Sequence, residues 1–184
     1  MKRTIYVFCV AVSALFVMVS CSKSEDNAGN NNKNLNIPAE AKAIIPEELI
    51  GKMKANGMTI NEGMNPPNIQ GIFATGDLKM TYTSLGDDDG YSVGQEIHSY
   101  RYKFYDQKGT KVKTDYINEW ITSTERATGR GTIISGEGNK FTAYLDVNIT
   151  NGEIKSRDVS VLSGEITPEG IKDFQYGFLK IEKT

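Results

Sequence analysis

One histidine, a scatter of carboxylates and a band of aromatics are the residues from which chemistry would have to be built in this 184-residue chain. A hydrolytic triad needs an imidazole between a nucleophile and an acid. His98 is the only imidazole, and it opens the Tyr100/Tyr102/Phe104 stretch with no nucleophile-elbow motif nearby. It reads as a strand or rim histidine. A zinc site needs several His or Cys ligands, and the chain offers one His and two Cys. Asp87-Asp88-Asp89-Gly90 gathers oxygens, but a calcium loop spaces its acids at alternate positions and adds a distant glutamate. Consecutive acids point apart and read as a solvated hairpin tip. Glu119, Glu125, Glu137, Asp115 and Asp146 would serve glycoside hydrolysis only if folding set two of them across a cleft. Arg126-Ala127-Thr128-Gly129-Arg130-Gly131 lacks the strand–loop–helix context of a phosphate loop and reads as a basic turn. No enzyme activity, metal or cofactor is expected.

The aromatics are the other resource. Tyr100, Tyr102, Tyr105, Tyr116, Trp120, Tyr144, Tyr176 and Phe178 fall in the later part of the chain. Set around a barrel mouth, such rings stack on sugars or hold an apolar ligand. Set inside, they pack as core and cross-strand pairs. Tyr100, Tyr102, Trp120 and Tyr144 are the candidate ligand-binding residues.

Cys21 has a different chemistry. Lys2 and Arg3 precede an uncharged run over residues 5–19, which has the length of a secretory signal and is too short for a membrane span. Val17-Met18-Val19-Ser20-Cys21 follows. It resembles the lipobox of bacterial lipoproteins, with Met18 where leucine is usual. The resemblance implies a signal peptide over residues 1–20 and a diacylated Cys21 as the new N-terminus. The alternative is an ordinary secretory signal with an incidental cysteine. Each buried methylene contributes about 0.8 kcal/mol, so two chains hold where one is marginal. Cys9 leaves with the signal, so the mature chain has no thiol and no disulfide. It carries 19 basic against 23 acidic side chains, a net charge of −4. That balance gives nothing to neutralise phosphates, so no nucleic-acid partner is expected. Residues 21–36 are asparagine-rich and nearly free of apolar side chains, and read as a flexible tether. Within them Lys23-Ser24-Glu25-Asp26 resembles the acidic export signals of Bacteroidetes surface lipoproteins, or is simply solvated.

Residues 37–184 read as one domain. Pro46 opens a helix, with Glu47 and Glu48 in its first turn, Leu49, Ile50 and Met53 on its apolar face and Gly57 as its stop. Pro66-Pro67 marks an extended connection. From Ile69 onward the period becomes two: Tyr100, Tyr102 and Phe104 alternate with Arg101 and Lys103. A second strand runs from Lys111 to Ile121, and Phe141, Ala143, Leu145 and Val147 alternate beyond Gly136-Glu137-Gly138-Asn139. Asn151-Gly152 predicts a type I′ hairpin. About eight strands at hairpin spacing predict a mainly β domain, an antiparallel barrel or else a β-sandwich, with one N-terminal helix.

Four segments carry a further likeness: Gly57-Met58-Thr59-Ile60-Asn61-Glu62-Gly63, Asn65-Pro66-Pro67-Asn68-Ile69-Gln70-Gly71, Gly136-Glu137-Gly138-Asn139-Lys140-Phe141-Thr142, and Ser163-Gly164-Glu165-Ile166-Thr167 with Gly170-Ile171. Together they resemble a set of uncharacterised Bacteroidetes lipoproteins. The resemblance spans most of residues 46–181 and implies a calycin-type, lipocalin-like barrel. It brings no functional residues. The expectation is a lipid-anchored protein of the outer membrane or cell surface that binds a small apolar molecule or glycan. The alternative is a structural or interaction component of an envelope complex.

Overall fold

Proline and glycine set the limits of the helices. The computed structural model describes Ile5–Tyr6, residues 35–84 and residues 90–183. The rest of the signal, Cys21, the tether to residue 34 and the run Asp87–Asp89 lie outside the described residues. Two helices form where one was expected, α1 (Ala39–Ile44) and α2 (Glu47–Ala55). They are divided at Ile45, extended at φ −128° and ψ 121°, because the ring of Pro46 disfavours a helical residue before it. Pro46 caps α2 from outside at ψ 138° rather than filling its first position. At the other end Gly57 takes φ 93°. Its amide reaches the Lys54 carbonyl at 3.1 Å, and the Met58 amide reaches that of Met53 at 3.0 Å. These paired bonds close the helix as a Schellman motif.

The β region obeys alternation. Strands β5 (Tyr100–Lys108), β6 (Lys111–Asn118), β7 (Arg126–Glu137), β8 (Lys140–Asn151), β9 (Ile154–Thr167) and β10 (Gly170–Lys183) form an antiparallel meander, and β2 (Gly71–Ala74) pairs with β5. The sheet curls into a barrel, not a sandwich. Among the described residues its wall holds seven strands, with further short strands beside it. The short β3 (Leu78–Lys79) and β4 (Glu96–Ile97) form a separate hairpin, with β1 (Ile5–Tyr6) parallel to β3. Two local expectations shift. Arg126–Gly131 is not a turn but the first half of β7. Asn151 pairs with Ile154, so the two-residue turn is Gly152-Glu153. Positive φ falls on Gly152 alone, at 61°, as a type II′ turn requires, and not on two successive residues as in type I′.

The barrel separates two apolar layers. Tyr102, Phe104, Val112, Tyr116, Phe141, Leu145, Leu162 and Phe174 fill the interior. Ile133, Tyr144, Val159 and Val161 face outward, beneath Ala41, Ile45, Ile50, Met58 and Ile60 of the helices and the segment after them. Strands β7 to β9 are therefore covered on both sides, and their middle residues are continuously buried. In β5 and β6 the alternation is open to solvent on one side, as a one-faced sheet requires. Each large apolar side chain buried this way contributes about 1.5–3 kcal/mol.

The segment after α2 is fastened by Asn61. Its amide donates to Thr142 Oγ1 at 2.7 Å. Its Nδ2 donates to the Phe141 carbonyl at 2.8 Å and to Ser163 Oγ at 3.0 Å. Its carbonyl accepts from Ser135 Oγ at 2.6 Å. Farther on, Gly63 exchanges backbone bonds with Asn36 and Gly136. The ordered domain also begins slightly earlier than the composition implied. Leu35 and Asn36, read as the tether's end, donate their amides to Glu47 and Glu62. Asn61→Ala removes the two side-chain bonds and leaves the Phe141 carbonyl and Ser163 Oγ each one partner short. It should cost about 2 kcal/mol in urea unfolding, while Asn148→Ala on the exposed face of β8 should stay within about 0.5 kcal/mol.

Candidate functional site

The four candidate aromatics fall in three places. Tyr100 and Tyr102 are neighbours inside the barrel, their ring centroids 6.3 Å apart. Tyr102 is 2% exposed. It packs against Tyr116 at 5.2 Å and, across the interior, against Phe174 of β10 at 6.4 Å. Tyr100 makes the matching contact with Tyr176 at 6.1 Å. These rings fill the barrel interior, and Tyr102 also floors an open cleft. Tyr144 is not with them. It points outward under the helical layer, with its hydroxyl 3.2 Å from Ser135 Oγ. Burial pushes its phenol up to about 12. Trp120 is not in a strand, because β6 ends at Asn118. It lies in the β6–β7 connection, stacked on His98 with centroids 3.6 Å apart and planes at 13°.

The carboxylates divide equally clearly. Asp146 grips Arg157 through two bonds of 2.8 and 2.9 Å. Glu119 accepts from Ser99 Oγ at 2.7 Å and pairs with Arg101. Both are structural ion pairs. Glu125 differs, being turned in among the tyrosines. Its burial raises its pKa above the ordinary carboxylate range, and Asp158 nearby adds to the rise, against hydrogen bonds to Asn118 and Tyr116. The same enclosure pushes the phenols of Tyr100, Tyr102 and Tyr116 well up, with the Glu125 carboxyl a further cause in each.

Two cavities border β10, the first where it faces the other edge strand, β2, without a shared ladder. The first is a cleft of about 700 Å³ between Ile72–Gly76 and the start of β10, floored by Tyr102 and Phe104. Glu169, Lys172 and Asp173 give it a charged rim. The second is a groove of about 260 Å³ between α2, the β3–β4 hairpin and the later half of β10. Met53, Met58 and Met80 line it with Leu49, Leu78, Ile97, Phe178 and Leu179, and Lys52, Asn56 and Gln175 stand among its polar residues. Gly177 makes this possible: a Cβ there would meet Met58 Sδ at 3.1 Å and Met53 Cε at 3.5 Å. The groove is close to the smallest usual ligand sites, about 300 Å³. Sequence reasoning missed it, although the apolar face of α2 containing Leu49 and Met53 was a visible part. Met80 and Gly177 carry no local signal. Among the described residues, no three His, Asp or Glu side chains converge as metal ligands.

Glu125 gives the site a pH signature. Its folded pKa lies above the unfolded value near 4.5. Its contribution to stability is therefore fully kept below that value and lost as pH rises through the folded one. Glu125→Gln should unfold at higher urea than the parent at pH 7.5 and show no such gain at pH 4. Equal gains at both pH values would show that the carboxyl's charge is not the cause.

Comparison of the chain with family models, with curated proteins and with solved structures yields no match, so the fold and these sites stand on their own geometry.

Proposed function

We propose that this is a lipid-anchored cell-envelope protein that binds a small apolar molecule in the groove between α2 and β10. The observation carrying the reading is the convergence of Met53, Met58 and Met80 on an open recess. Methionine is unbranched and polarisable, so it adapts to ligand shapes that branched side chains would refuse. The anchor is supported by the charged start, the short apolar run and the small residue before Cys21. β1 lies within the signal, so cleavage before Cys21 removes the strand paired with β3. That leaves main-chain groups of Leu78–Lys79 open along one wall of the groove.

A second reading is favoured by one observation, the filled interior. A barrel interior filled with side chains also suits an interaction component of an envelope complex.

The groove is tested with N-phenyl-1-naphthylamine, an apolar dye whose emission rises on burial. The mature chain should bind it saturably. Gly177→Val, which drives a branched side chain into Met58 and Met53, should weaken binding at least tenfold while the far-UV spectrum is kept. A saturable signal unchanged in Gly177→Val places the dye elsewhere, and no saturable signal favours the interaction component. The anchor is tested separately: Cys21→Ala should abolish palmitate labelling and release the protein from membranes.

A further inference from the structure

Trp120 is the chain's only tryptophan, and it lies outside the groove with 47% of its surface exposed. It is nevertheless held firmly. Its amide donates to Asn118 Oδ1 at 2.9 Å, its carbonyl accepts from the Ser123 amide at 2.8 Å, and His98 supports one face of the ring at 3.6 Å. The opposite face and edges are what remain for solvent. Next to it in the chain, Glu119 is fixed by Ser99 and Arg101, two groups from the β5 side. A flat apolar surface beside ordered hydrogen-bonding groups has the chemistry of a pyranose, whose ring C–H bonds form an apolar face rimmed by hydroxyls.

We propose that the Trp120–His98 stack is a carbohydrate-binding platform. A sugar ring lies on the free face of the indole, and the Arg101–Glu119 pair receives its hydroxyls. Topology favours a sugar over a lipid surface. The ordered chain begins at Leu35–Asn36, and Gly63 bonds both Asn36 and Gly136 near the end of β7. Trp120 lies beyond the opposite end of β7, before Arg126. The ten residue steps from Arg126 to Gly136 span about 33 Å of strand. With the lipid anchor proposed above, the tether leaves one end of the barrel and the platform occupies the other. That orientation rests on the anchor; the platform does not.

The single tryptophan makes its own reporter. The mature chain is titrated with cellohexaose, xylohexaose, mannohexaose, maltohexaose and chitohexaose. At least one should change the emission saturably. By calorimetry Trp120→Ala should weaken that sugar at least tenfold and His98→Ala severalfold. Dye binding in the groove should survive Trp120→Ala, so failure of one site does not mask the other. The proposal is overturned if none of the five sugars gives a saturable change, if Trp120→Ala leaves sugar binding intact, or if the emission responds only to phosphatidylethanolamine–phosphatidylglycerol vesicles.

Discussion

The barrel is held shut by side chains where its edges meet. Strands β2 and β10 are the two ends of the sheet and share no ladder. Tyr102 against Phe174 and Tyr100 against Tyr176 span the gap from inside, and Leu78 of the β3–β4 hairpin joins the same core. Each aromatic pair contributes about 0.5–1.5 kcal/mol beyond its buried area. Closure by rings has two effects. It fills the interior, because the rings must reach across it. It also leaves the joint imperfectly sealed, since side chains cover a line less evenly than a continuous ladder does. The cleft over Tyr102 and Phe104 lies along that line, and the methionine-lined groove lies farther along β10.

The outer layer depends on a different bond type. Asn61 ties the segment after α2 to β7, β8 and β9 through Ser135, Thr142 and Ser163. These hydroxyls are buried, so they need partners, and Asn61 supplies them. Segments far apart in the chain meet here: Asn61 and Gly63 from the stretch after α2, Gly136 from β7, Phe141 and Thr142 from β8, Ser163 from β9. Their meeting is one packing arrangement, the docking of a helical layer on a barrel wall.

Much of this architecture was legible in the chain. The alternation of Tyr100, Tyr102 and Phe104 marked β5 and its inward face, and Glu47, Glu48 and Gly57 marked the ends of α2. What escaped did so for physical reasons. Arg126–Gly131 looked like a turn because two glycines and two arginines weaken strand propensity. In the fold the register shift between Gly129 and Gly131 absorbs that irregularity. Tyr144 looked like its fellow tyrosines, but a strand buried on both faces gives no periodic cue to which face a ring takes. The second helix was hidden because Ala39–Ile44 is short and Pro46 breaks the pattern after it. The groove was illegible because its walls come from α2, the β3–β4 hairpin and β10, of which α2 and β10 lie more than a hundred residues apart. Trp120 was singled out for its chemistry, yet its place in a connection came only with the end of β6 at Asn118.

The meander has a kinetic side. From β5 to β10 every ladder joins neighbours in sequence, so each hairpin closes a small loop and pairing can zip along the chain at little entropic cost. The aromatic seam and the Asn61 docking reward the chain only after the last strands have formed, since Asn61 reaches a partner 102 residues away. A chain arrested after zipping would carry an uncurled sheet with two naked edges and a wet row of tyrosines, the form in which strands recruit other chains. The final curl is thus the step that removes a sticky intermediate from circulation. Because the seam forms late, its loss speeds opening more than it slows zipping, and so returns chains to that sticky form.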